Sequence, residues 1–100
     1  MHEEIIEHIM SLYNEGLEEL MGAQKYVKCA HKAANDKDRN MYAEMAHEEI
    51  KHASMLEKSG DNALMNVDHN HSIHHVWKHL KHHLNEWSED LEHQITKLKG

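Results

Sequence analysis

Proline and phenylalanine are both missing from the 100-residue chain, and it holds only four glycines and one cysteine. Without proline, little can break a long helix except those glycines and the polar turn residues. Without phenylalanine, and with valine scarce, strand signals are weak. A single cysteine, Cys29, cannot close an internal disulfide, which fits a reducing compartment. Cys29 is expected to serve as a small core residue. No apolar run approaches the roughly 18–20 residues needed to span a bilayer, so no membrane partner is expected. The opening Met1-His2-Glu3-Glu4 is acidic, unlike a secretory signal or transit peptide. A cytoplasmic protein is expected, or one held inside a protein compartment of the cytoplasm. A net charge of −7 weighs against nucleic acid as a partner.

What remains is helix-forming. Leu, Met, Ala, Glu and Lys dominate, and these residues lose little on entering a helix. Residues 3–34 form the first expected helix, with a seam of Ile6, Ile9, Tyr13, Gly16, Leu20, Ala23, Val27, Ala30 and Ala34 at steps of three and four. Gly16 and Gly22 inside it suggest a close helix approach, or room for something other than side chains. Asn35 or Asp36 caps the second helix, expected over residues 37–58 and ending at Ser59-Gly60. So short a connection makes the pair an antiparallel hairpin. Residues 60–72 form a linker, with a helical turn near 63–66. Ser72 then caps a third helix over residues 73–97, with the seam Ile73, Trp77, Leu80, Leu84, Trp87, Leu91, Ile95 and Leu98. The fold class is all-α, in one domain. A 100-residue chain buries only roughly 60–65% of its unfolded surface, so association of long helices would help it.

The second helix carries the chemistry. Its expected seam is Tyr42, Met45, Glu49, His52 and Leu56, and two of those five residues are ionisable. A charge on a core stripe needs a partner, and a metal ion would satisfy both Glu49 and His52. At i and i+3 they project from one face, and Glu-x-x-His is the unit that di-iron carboxylate bundles use twice. The first helix offers Glu19 between small residues. Tyr26 follows on the same face, where its hydroxyl could hydrogen-bond a ligand carboxylate. Glu44-x-x-His47 has the same spacing but lies off the seam, and reads as a solvated pair. Asp90-x-x-His93 is the nearest approach to a further match, with no fourth helix beside it. The other half of a di-metal site is therefore expected from a second copy of the chain.

Leu17-Glu18-Glu19-Leu20, Tyr26 and His47-Glu48-Glu49-Ile50-Lys51-His52-Ala53 together resemble the ferritin-like superfamily over about residues 10–60. Its rubrerythrin, bacterioferritin and encapsulated-ferritin branches share a Glu, a Tyr seven residues later, and then a Glu-x-x-His. The likeness is closest to encapsulated ferritins, short chains that build a four-helix bundle and its ferroxidase centre between two subunits. The resemblance implies Glu19, Glu49 and His52 as iron ligands and Tyr26 beside them. It also implies a di-iron centre shared within a homodimer or higher even oligomer, and oxidation of Fe(II) by dioxygen or peroxide for iron storage or detoxification. Two features depart from the relatives. Met21 stands where they usually carry another acid, although Glu15 and Glu18 are close by. Relatives also often end in a Leu/Gly-rich peptide that docks to a shell protein. The ending Ile95-Thr96-Lys97-Leu98-Lys99-Gly100 does not resemble one, which leaves a shell-protein partner open.

The 13 histidines are the other unusual feature. His71, His75, His79 and His83 recur every four residues as a stripe on the third helix, with His82 beside them. The stripe fits a solvated face, a metal-capture surface or a pH-dependent contact. It also supports the alternative function, a non-enzymatic His-rich binding protein for Zn, Ni, Cu or Fe. Peroxide reduction is a rival within the di-iron class, weakened because no CxxC pair is present for a rubredoxin-type centre.

Overall fold

The computed structural model describes residues 2–99, with the side chains of His2 and Lys99 left aside. Three helices follow one another: α1 (His2–Lys32), α2 (Asp36–Ala63) and α3 (Ser72–Lys99), and no strand occurs among the described residues. None of these helices is long and apolar enough to cross a membrane.

The helix ends show where local chemistry prevailed. Asn35 is the cap of α2. It is extended (φ −146°, ψ 166°) and its side chain accepts from the Asp38 N–H at 2.8 Å. That extended residue forces α1 to end at Lys32, short of the expected 34, and Ala34 is exposed. The expected stop at Ser59-Gly60 is wrong: α2 continues to Ala63. Gly60 is not a left-handed cap, since no glycine has positive φ among the described residues. A Cβ on Gly60 would lie 2.1 Å from Trp77 Cζ2, so glycine is there to admit the indole. Turns over 64–66 follow, closed by Met65 N–H to Asn62 O and Val67 N–H to Leu64 O. At α3 the expected cap Ser72 lies inside the helix, and His71 Nδ1 accepts from the Ile73 N–H at 3.0 Å in its place.

The helices form an up-down-up bundle. Trp77 meets Gly60 near the end of α2, Leu84 meets Gly16 of α1, and Glu92 meets His47 back along α2. The molecule measures 52 × 19 × 15 Å, with a radius of gyration of 16.0 Å. A compact 100-residue domain would have about 13 Å, so this is a rod one helix long. Two apolar clusters run along it. One joins Leu20, Ala23, Val27, Ala43, Ala46, Ile50, Ala53, Leu84, Leu91 and Ile95; the other joins Ile9, Leu12, Leu64, Ile73 and Trp77.

The α3 seam matches expectation, whereas the α2 seam is shifted by one position. Its buried stripe is Ala43, Ala46, Ile50, Ala53 and Gly60. Tyr42, Glu49 and Leu56 are half-buried, and Met45 and His52 are exposed. Alanines let α1 and α2 close on each other, and the larger side chains are pushed to the flank. Ile6, expected in the α1 seam, is 41% exposed. Cys29 is half-buried beside Met21, Lys25 and Trp87, rather than in the core.

Candidate metal centre

The flank so displaced holds the candidate ligands. Glu19 projects from α1 and Glu49 and His52 from α2, with one donor atom of each within 4.8 Å of the others. His52 Nδ1 lies 3.3 Å from Glu19 Oε2 and 3.8 Å from Glu49 Oε1. Two donors on one ion with bonds of about 2.0–2.2 Å lie at most about 4.4 Å apart. A small side-chain adjustment would therefore collect all three.

Gly22 gives the Glu49 side chain room. A Cβ there would stand 3.0 Å from Glu49 Oε2, close enough that the carboxylate would have to shift by a few tenths of an ångström. Burial pushes the Glu49 carboxyl above its ordinary value of 4.5; the hydrogen bond and negative charge of Glu19 push the same way, and His52 opposes them. Two carboxylates this close disfavour joint ionisation. A divalent cation between the two carboxylates would remove that conflict.

The group is open on its outer side. A pocket of about 350 Å³ is lined by Glu15, Glu19, His52, Met55 and Leu56. The side chains of Glu19, Glu49 and His52 keep 30%, 28% and 50% of their exposure. The burial that first pointed to Glu49 and His52 is thus only partial, and their convergence with Glu19 supports the site instead.

Tyr26 is not joined to the group in the single chain. Its hydroxyl has no hydrogen-bond partner among the described residues, and its ring stacks on Tyr42 with centroids 6.4 Å apart. Nor is His47 half of a solvated pair with Glu44. It reaches across to α3, where Nδ1 donates to Glu92 Oε1 at 2.8 Å. His47 and Glu49 leave α2 on opposite sides of its alanine stripe. Helix α3 covers the His47 side and leaves the Glu49 side uncovered.

The histidine stripe of α3 divides into separate roles. His71 caps the helix, His75 and His79 face each other, and His83 Nδ1 pairs with the Tyr13 hydroxyl on α1. A polar cluster that the sequence did not reveal ties α3 to α2. Asp61 accepts from Trp77 Nε1 at 2.9 Å and from Lys81 Nζ at 2.7 Å.

No family model, no curated protein and no solved structure matches this chain.

Proposed function

We propose that the chain is a ferritin-like ferroxidase whose di-iron site is completed by a second copy of itself. One observation carries the proposal: Glu19, Glu49 and His52 converge on the flank of the α1–α2 hairpin that α3 leaves uncovered. A di-iron carboxylate centre takes a Glu from each of two helices and a Glu-x-x-His from each of two more. One chain supplies half of that set, and a two-fold axis through the open flank supplies the rest. The docked partner would cover Met45, Met55 and Leu56, of which Met55 is 64% exposed. The two α3 helices would stay on the outside of the resulting four-helix bundle.

Fe(II) is the substrate, and carboxylate oxygens with imidazole suit it. Glu19, Glu49 and His52 of both copies would hold the two ions. Two Fe(II) give up two electrons in all. Dioxygen with two protons accepts them as hydrogen peroxide, or hydrogen peroxide with two protons accepts them as two waters. The four carboxylates of the dimer would offset the added charge of the ferric product.

Anaerobic titration tests this: Fe(II) should saturate near one ion per chain, in a dimer or larger even assembly. Glu49→Ala should abolish oxidation, and wild-type oxidation by that variant would refute the assignment. A second reading is a non-enzymatic buffer for Zn, Ni, Cu or Fe. It rests on the three donors that the single chain already brings together in the open, because such a set can hold one ion without turnover. Catalytic turnover, with more Fe(II) oxidised than the sites can hold, separates the two.

A further inference from the structure

His75 and His79 stand one turn apart on the outer face of α3, and their Nε2 atoms lie 3.3 Å from each other. The rings meet edge to face, with centroids 4.6 Å apart and planes at 87°. Two imidazoles bound to one ion at about 2.0–2.1 Å, at right to tetrahedral angles, place their nitrogens about 2.8–3.4 Å apart. The observed separation falls inside that range. With no ion present, the N–H of one ring donates a hydrogen bond to the nitrogen of the other, and a cation would take the place of that hydrogen.

The surroundings permit a cation. The recess beside the pair has a volume of about 490 Å³ and is lined by His75, Lys78, His79, Lys81, His82 and Asn85. Lys81 is matched by Asp61 at 2.7 Å, and His82 Nε2 by Glu86 Oε1 at 2.6 Å. Both histidines are exposed, so an ion can enter with no rearrangement of the helix.

We infer that His75 and His79 form a second metal site, a bidentate imidazole chelate for a late first-row divalent ion. It differs in chemistry from the carboxylate-rich group on the hairpin. Imidazole without carboxylate suits copper, nickel and zinc, and among these divalent ions copper binds most tightly to a given nitrogen site. Solvent completes the coordination. The site lies on α3 and stands or falls independently of the iron-oxidising role.

The probe is Cu(II), titrated into the full-length chain carrying Glu49→Ala so that the hairpin group is disabled. Electron paramagnetic resonance should show the first equivalent bound by two imidazole nitrogens. His75→Gln and His79→Gln, each made singly in that background, should each lose this two-nitrogen signature and bind about tenfold or more weakly. His93→Gln, exposed on α3 about 21 Å further along the helix, should keep both. Far-UV circular dichroism verifies that each variant retains its helix content. An unchanged first-equivalent spectrum and affinity in the His75 and His79 variants would overturn the site. So would an equal loss in His93→Gln, because copper would then be bound indiscriminately by surface histidines.

Discussion

Glu49 is the residue on which most depends. In the folded chain its carboxyl is raised above 4.5, by burial first and then by Glu19. Between 4.5 and that raised value the native state keeps a proton that the unfolded chain has lost. Stability of the metal-free protein should fall as pH rises from 4.5 through the raised value. Glu57 on α2 is shifted the same way, also by burial first, so a comparison with the Glu49→Gln variant is needed to isolate one group. Glu49→Gln should raise the thermal midpoint of the metal-free chain by a few degrees near neutral pH while abolishing iron loading. Calorimetry and Fe(II) titration read the two effects, and a lowered midpoint would mean that the carboxylate is not strained by Glu19. Gly22 gives a subtler case. Alanine there gains about 0.5–1 kcal/mol of helix stability, but its Cβ would crowd Glu49 Oε2 at 3.0 Å. Gly22→Ala should therefore be as stable as the parent, or more so, and bind Fe(II) about tenfold or more weakly. Unchanged affinity in that variant would show that Gly22 does not shape the site.

At the scale of the helix, Gly60 misled the sequence reading in an instructive way. A Ser-Gly pair after a run of helix formers looks like a terminus, but the glycine belongs to the contact with Trp77 on α3. Gly60→Ala should destabilise the fold by about 1–3 kcal/mol through overpacking, despite its better helix propensity. Urea denaturation reads the difference, and a stabilised variant would contradict the packing account. Three helices, their order and the Asn35 cap were legible because spacing and cap chemistry are local. The seam of α2 was not, because alanine is a weak hydrophobic signal. Met45 and Leu56 look like core residues beside Ala43 and Ala46, yet the alanines bring the helices together and the larger residues flank them. The shift altered the argument for the metal group but left its members unchanged. Glu19, Glu49 and His52 were legible from type and spacing. Tyr26 was expected beside them, but its ring stacks on Tyr42 instead. The His47–Glu92 link depends on where α3 docks, and no local pattern in α2 records that.

At the scale of the whole molecule, the chain is a narrow rod with one flank of its hairpin uncovered and acidic ligands displayed there. On the proposed function, assembly and site completion are a single event. The rate of Fe(II) oxidation per chain should fall on dilution, steeply once the dimer dissociates. Kinetics over a wide range of protein concentration would show this, and a constant rate per chain would argue for a site that one chain completes alone.

Anaerobic native mass spectrometry of the chain with Fe(II) tests the central claim most directly, since it counts chains and ions in one particle. The predicted iron-loaded species holds two chains and two iron ions, and disappears when Glu49 is replaced by alanine. Iron held chiefly by single chains, or a dimer loaded equally well by the Glu49→Ala variant, would contradict a di-iron site shared across two copies.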